Sequence, residues 1–312
     1  MNIIDRNFYQ LIRFLNTQSE DMLFETIKRH YLNLSPELHQ SLEDYFQKFD
    51  YWGSLNAEKN DFDHIHQRAN VLFHHLDDFV HLYERLEDYR SKKLLFAILN
   101  NWYQFDFITL GSALEKNYSP YFDLDIVPTA EEEVFVDLGA YTGDTILDYL
   151  NVYGVDSYKK IYGYEITEET FQKLQKNLRF YPNIILKNNA VIDQNQTVFI
   201  EPSTVDASAN TVRDYGATKI EAVTLDEDIK DPITMLKMDI EGSEQKAIIG
   251  AINHIKQDTP NLFLSVYHSF EDMWKIPHMI DEIKPGYQFY LRTHGNNIFA
   301  TEVTLIAIYP KK

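Results

Sequence analysis

The 312-residue chain carries 48 acidic against 29 basic side chains, a formal net charge of −19, and no cysteine. This balance disfavours nucleic acid or anionic lipid as a partner, because phosphate binding needs a basic face, and it excludes disulfides and thiolate metal sites. No run approaches the ~20 apolar residues of a membrane span, and Met1 to Leu15 interleaves Asp5, Arg6, Asn7, Gln10 and Arg13 with its apolar residues, unlike a signal peptide; a soluble cytoplasmic protein is the expectation.

Residues 1–118 read as an all-α N-terminal domain, with few strand signals and only Gly53 and Gly111 as glycines. Helical periodicity covers Phe8 to Leu15 and Met22 to Leu32. Pro36 after Ser35 marks a further helix start. Asp61 is expected to cap one long helix whose apolar stripe runs through Phe62, Ile65, Ala69, Leu72, Phe73, Leu76, Phe79, Val80, Tyr83 and Leu86. Ser91 to Trp102 suggests another. Asp77 with His81, or His74 with Asp78, has the i,i+4 spacing of a metal pair, but no third ligand is evident. A solvated polar face is the plainer reading. Tyr118 to Asp125 and Pro128 read as the linker into a second domain, residues 119–312.

From Glu133 strands and helices alternate, which implies a mostly parallel sheet covered by helices. Val134 to Leu138 is a buried strand, interrupted by Asp137, that runs into Gly139-Ala140-Tyr141-Thr142-Gly143 and then a helix opened by Asp144 and Thr145. Gly139 and Gly143 bracket a turn where backbone can approach a ligand. A carboxylate beside a helix start suits a ligand bearing both an ammonium and a carboxylate, as S-adenosylmethionine does. Tyr141 stands where a dinucleotide loop would place its second glycine, so a nicotinamide-dependent oxidoreductase is the weaker reading.

Further strands are expected at Ile161–Tyr164, Ile184–Leu186, Thr197–Ile200, Lys219–Val223, Ile233–Met238, Leu262–Val266, Tyr287–Leu291 and Val303–Ile308, the last two as a hairpin around Gly295. Thr167 and the Ser269/Asp272 pair mark helix starts. The polar residues cluster at strand ends, which in an open α/β sheet converge on one crevice. Glu165 is placed to accept both hydroxyls of a ribose, and Asn189 or Asn188 to bond an adenine edge. Ile166 and Ala190 flank these positions. Lys237, Asp239 and Glu241 share a face if their strand stays extended. Asp239 or His268 then serves as base toward an acceptor hydroxyl, or Asp239 and Glu241 hold a divalent cation that lowers its pKa. Lys237 reads as a charge partner for the carboxylates.

Val136-Asp137-Leu138-Gly139-Ala140-Tyr141-Thr142-Gly143-Asp144-Thr145, Tyr164-Glu165, Val223-Thr224-Leu225-Asp226-Glu227 and Leu236-Lys237-Met238-Asp239-Ile240-Glu241-Gly242-Ser243-Glu244 resemble the FkbM family of S-adenosylmethionine-dependent methyltransferases. His268 and Pro285 to Arg292 are similar to that family's C-terminal pattern, whereas Ile166 stands where the family often has proline. The resemblance implies a class I (Rossmann-like) methyltransferase fold. It also implies O-methylation of a sugar, polysaccharide or related small molecule, with Asp137, Gly139, Tyr141, Gly143, Thr145, Glu165, Ile166, Asn189 and Ala190 at the cofactor. A non-catalytic module that only holds the cofactor is the other alternative. The helical domain is expected to cover the site or to mediate homodimer contacts.

Overall fold

Asn2 starts the first helix, α1 (Ile3–Leu15), with a capping box. Its side chain accepts from Asp5 N and the Asp5 carboxylate accepts from Asn2 N, each at 3.0 Å, so two orphan donors of the helix start are satisfied together. The structure is a computed structural model and describes residues 1–49, 52–128, 131–203 and 210–310. Ser19 and Ser35 cap α2 (Glu20–Leu32) and α3 (Pro36–Lys48). The single long helix expected after Asp61 is instead two, α4 (Asp63–His74) and α5 (Leu76–Arg85), parted at His75. Asp61 caps neither, because its carboxylate accepts from Ser54 Oγ at 2.6 Å. Asp88 caps α6 (Tyr89–Gln104) through Ser91 N, and Asp106 caps α7 (Phe107–Gly111).

These helices belong to a first compact unit, Met1–Glu115, which also takes in Ser269–Lys275 and Tyr290–Val303. The later segments bring Phe270 and Phe299 onto Trp52, at ring-centroid distances of 5.5 and 5.0 Å. Deep in this unit Arg68, fully buried, donates from Nε to His64 Nε2 at 2.8 Å and from Nη1 to Asn101 O at 3.2 Å. His64 Nδ1 lies 2.8 Å from Trp52 O. These partners assign the ring proton to Nδ1 and leave Nε2 as the acceptor that Arg68 needs. Burial, with Arg68 alongside, holds the His64 pKa well below its ordinary range.

The second unit comprises Lys116–His268, Ile276–Phe289 and Thr304–Lys312. Its elements follow in chain order: β1 (Glu133–Leu138), α8 (Asp144–Tyr153), β2 (Tyr158–Tyr164), α9 (Glu168–Leu178), β3 (Ile184–Lys187), β4 (Ala190–Val191), β5 (Gln196–Glu201), β6 (Thr211–Arg213) and β7 (Thr218–Val223). Then come α10 (Leu225–Asp228), β8 (Met235–Met238), α11 (Glu244–Ile249), α12 (Ile252–Gln257), β9 (Asn261–Ser265), α13 (Asp272–Ile283), β10 (Gln288–Thr293) and β11 (Val303–Ile308), of which Asp272–Lys275, Tyr290–Thr293 and Val303 are counted with the first unit. Ser269 and Asp272 form the expected reciprocal cap. Thr167 makes no side-chain cap.

The main sheet has the order β10-β11-β9-β8-β1-β2-β3. The pairs β1–β2, β2–β3, β1–β8 and β8–β9 are parallel, and β11 runs antiparallel to β9. The strand order reverses at β1, whose neighbours are β2 and β8, and an open α/β sheet binds ligands beside such a switch point. This is a mixed α/β architecture with a mostly parallel sheet and a helical N-terminal region. The four β segments between β3 and α10 do not extend that sheet. They form a separate one, ordered β4-β7-β5-β6, around Ile192, Val198, Ile200 and Ile220. Residues 204–209, between β5 and β6, lie outside the described residues.

His64 gives this fold a pH dependence of definite sign. Its folded pKa is depressed, so the unfolded chain binds more protons below the ordinary value of 6.5. Its contribution is complete above that pH and is lost as pH falls from there toward the folded pKa. Thermal unfolding at about pH 7.5 and about pH 5.5 should show wild-type stability falling more on acidification than that of His64→Gln. Equal falls would contradict the assignment.

Candidate active site

The site begins where β1 ends. Gly139 has φ +78°, and a Cβ there would come within 1.9 Å of the Asp239 carbonyl oxygen. Only glycine fits where the ends of β1 and β8 cross. Gly143, at φ +89°, is closed in by Leu174 and Leu178 of α9. Packing within the protein therefore already requires a glycine at each position. Protein atoms occupy both spaces, although Gly139 also lines the cleft described next.

A cleft lies at the carboxyl ends of β1, β2 and β8. At one end are Tyr164, Glu165, Ile166, Asn189, Ala190, Val191, Asn210 and Val212, and at the other Asp239, Ile240, Glu241 and Ser243, with Leu138 and Gly139 also in its wall. Glu165 Oε2 accepts from Tyr141 N at 3.1 Å and Oε1 from Thr167 N at 2.7 Å. A carboxylate has about four lone-pair sites, so roughly two remain. Burial raises the Glu165 pKa, and the two N–H groups oppose the shift. Ile166 and Val212 pack against the core of the second sheet and offer an apolar wall. Asn188 is a structural clamp that donates to Glu165 O and Ile166 O at 2.8 and 3.1 Å. Asn189 lines the cleft while donating to Glu221 O.

Asp137, Tyr141, Gly143, Thr145, Lys237 and His268, all expected at the site, are not among the residues that line the cleft. Tyr141, at φ +46°, reaches Glu165 through its backbone. Thr145 is buried in the first turn of α8. Asp137 is fully buried and aligned across the strands with Lys237, whose Nζ lies 3.0 Å from Asp137 Oδ1 and donates to Gly139 O at 2.8 Å. Burial pushes the Asp137 carboxyl up to about 6 even beside this ammonium. Burial works against the charge on Lys237 too, but Asp137 and Asp239 hold its pKa above the ordinary value.

The shared face expected of Lys237, Asp239 and Glu241 does not form. β8 ends at Met238, and the chain then turns through Glu241 (φ +53°) and Gly242 (φ +90°). Lys237 points into the sheet, while Asp239 and Glu241 meet His268. His268 Nε2 lies 3.5 Å from Asp239 Oδ1 and 3.4 Å from Glu241 Oε2, and Nδ1 lies 3.0 Å from Glu244 Oε1. Tyr121 donates to Asp239 Oδ2 at 2.7 Å and Tyr267 to Oδ1 at 3.4 Å. Burial tends to raise the Asp239 pKa, but Lys237, His268 and the Tyr121 hydroxyl together hold it below the usual carboxylate range. Burial tends to lower that of His268, yet Glu244 and Glu241 hold it well above the ordinary value.

Among the described residues, Asp239, Glu241 and His268 are the group with metal-ligand spacing. The histidine-rich helices supply no such group there, since His74 lies against Glu20 and His75 against Asp78. Sequence reasoning missed Tyr121, which it placed in a linker, and Glu244. For Glu244 a signal existed: a helix-start carboxylate four residues after Ile240 can reach back to that residue's N–H, and it does so at 2.8 Å.

The methyltransferase FkbM domain family matches residues 137–291. Those residues form an FkbM methyltransferase domain. The crystal structure of methyltransferase FkbM from Methylobacillus flagellatus KT is similar at a TM-score of 0.64 and 25% identity, over 77% of this chain and 62% of that one. The chain thus spans less than two thirds of that relative's length. An rRNA methylase from Streptococcus thermophilus matches at a TM-score of 0.40 and 13% identity, covering 63% of this chain and 100% of that chain. Aeropyrum pernix fibrillarin in complex with S-adenosyl-L-methionine matches at 0.37 and 13%, covering 58% and 68%. No curated protein matches the chain. The FkbM domain contains Asp137, Glu165, Lys237, Asp239, Glu241 and His268, whereas Tyr121 lies before it.

The Lys237–Asp137 pair at the centre of the FkbM domain makes a stability prediction. Lys237→Met leaves a buried carboxylate without its partner and should cost about 3–5 kcal/mol. Pairing it with Asp137→Leu should recover most of the loss. Urea unfolding of both variants measures this, and equal destabilisation of the single and double variants would refute it.

Proposed function

We propose that the chain transfers a methyl group from S-adenosylmethionine to a hydroxyl of a sugar, polysaccharide or related small molecule. The observation that carries this reading is the cleft beside the switch point, with Glu165 at one end and Asp239 at the other, inside an FkbM domain. The two lone-pair sites left on Glu165 suit a ribose diol, and its two backbone bonds fix the carboxylate in place. Ile166, Val191 and Val212 offer an apolar wall to a flat base, and Asn189 can bond its edge. Asp137 and Lys237 support the loop from below, and we assign them no direct contact with the reacting atoms.

When bound, S-adenosylmethionine supplies a methyl group on a positively charged sulfur. The chain must then present an acceptor oxygen in line with it. Asp239 is suited to accept the hydroxyl's hydrogen bond and to take its proton as the O–C bond forms, when that proton becomes strongly acidic. Its depressed pKa keeps it ionised for the task. His268 is a weaker candidate for the base, because the carboxylates around it favour its protonated form.

Calorimetry with S-adenosylhomocysteine and a transfer assay on glycans test this division of roles. Glu165→Ala should weaken binding roughly 10- to 100-fold, the loss of charge-assisted hydrogen bonds. Asp239→Asn should keep the binding and lose at least about 100-fold in rate. Equal loss of binding in both variants would refute the assignment. Cofactor binding without turnover on any glycan would leave a binding module, and nicotinamide-dependent absorbance changes would overturn the reading altogether.

A further inference from the structure

We infer that Asp239, Glu241 and His268 form a divalent-cation site at the acceptor end of the cleft, with Glu244 holding the imidazole in place. The three donor atoms lie within 4.8 Å of one another. His268 Nε2 stands 3.5 Å from Asp239 Oδ1 and 3.4 Å from Glu241 Oε2. Imidazole nitrogen and carboxylate oxygen bind a first-row cation at about 2.0–2.2 Å, so donors on adjacent coordination positions stand roughly 3–3.5 Å apart. The contacts fit a shared ion better than they fit each other: Nε2 is buried and makes no hydrogen bond.

Two further features point the same way. Three carboxylates, from Asp239, Glu241 and Glu244, face a single imidazole, so the cluster is negative whichever protonation state the ring takes. Glu241 also holds a left-handed backbone conformation that non-glycine residues rarely adopt, and this bend keeps its carboxylate at the cluster. Glu244, on the far side of the ring at 3.0 Å from Nδ1, has the place of the carboxylate that commonly orients a metal-bound histidine. A nitrogen donor with two carboxylates favours Mn²⁺, Zn²⁺ or Fe²⁺ over Mg²⁺ or Ca²⁺.

The inference rests on the methyl-transfer reading for its chemical role. Three protein donors leave coordination positions open, and Asp239 and Glu241 line the cleft. An acceptor hydroxyl bound there is more acidic. Its O–H bond breaks with the proton passing to Asp239, the O–C bond forms, and the C–S bond breaks to release a neutral thioether.

Mn²⁺ titrated into the full chain and followed by electron paramagnetic resonance tests the site. Wild type should take up one ion per chain. Glu241→Gln and His268→Gln should each lose it, and Glu244→Gln should bind about 10- to 100-fold more weakly. Glu241, a fifth exposed, is the substitution least able to disturb folding, and S-adenosylhomocysteine binding measured in parallel reports the integrity of the cleft. Failure of wild type to bind Mn²⁺ or Zn²⁺ stoichiometrically overturns the inference, as does uptake unchanged in Glu241→Gln and His268→Gln. If S-adenosylhomocysteine binds and no cation does, this inference alone falls. If the cation binds and S-adenosylhomocysteine does not, the cofactor reading falls and the cation site stands.

Discussion

The buried contact between Lys237 and Asp137 is the constraint from which the cleft is built. The two residues face each other across the parallel pair β1–β8, at the point where the strand order reverses. Lys237 reaches past Asp137 to the Gly139 carbonyl, so one ammonium ties the strand to the turn that follows it. A buried ion pair contributes little net stability compared with well-packed apolar residues, but it tolerates few alternative registers. Here it joins the two residues that stand level across β1 and β8. The Asp239 carbonyl sits where only a glycine at 139 can pass. Pair, crossing and glycine form one mechanical unit, and the cleft opens directly above it.

Much of this was legible in the sequence. The strand expected at Val134–Leu138 is found as β1, and those expected at Ile233–Met238 and Leu262–Val266 are found as β8 (Met235–Met238) and β9 (Asn261–Ser265). Glu165, Ile166, Asn189, Ala190, Asp239 and Glu241 were all singled out from strand ends, and the structure brings them into one cleft. The errors came where a local pattern competes with a tertiary contact. Lys237, Asp239 and Glu241 alternate as a strand would, but the ladder stops at Met238 because the backbone must turn to clear the β1 end. The apolar stripe from Phe62 to Leu86 keeps helical spacing in the sequence across the break at His75, so the spacing gives no sign of it.

Other features had no local signal at all. Tyr121 lies more than a hundred residues from Asp239 and outside the FkbM match, yet it donates the shortest hydrogen bond Asp239 receives from a side chain. Nothing in a short acidic-aromatic stretch indicates which carboxylate its hydroxyl will meet. Phe270 and Phe299 likewise join the aromatic core of the helical unit from segments late in the chain. Hydrophobic periodicity reports that a side chain is buried, but not what it is buried against.

The two turns that frame the cleft share a construction that explains why its acids do double duty. Each contains a non-glycine residue in the left-handed region, Tyr141 in one and Glu241 in the other. Such conformations persist only where the surroundings over-determine them. In the first turn the Glu165 carboxylate accepts from the strained residue's own N–H. In the second the Glu244 carboxylate accepts from the N–H of Ile240, one residue before it. Each acid therefore anchors a strained turn with one oxygen and has its other oxygen engaged differently: Glu165 holds Thr167 N, whereas Glu244 Oε2 is buried without a hydrogen bond. A site built this way resists piecemeal substitution. Exchanging either glutamate for an apolar residue would release the backbone that shapes the cleft, and at Glu165 it would also remove a charge from the cleft wall, so binding and local rigidity would be lost together there.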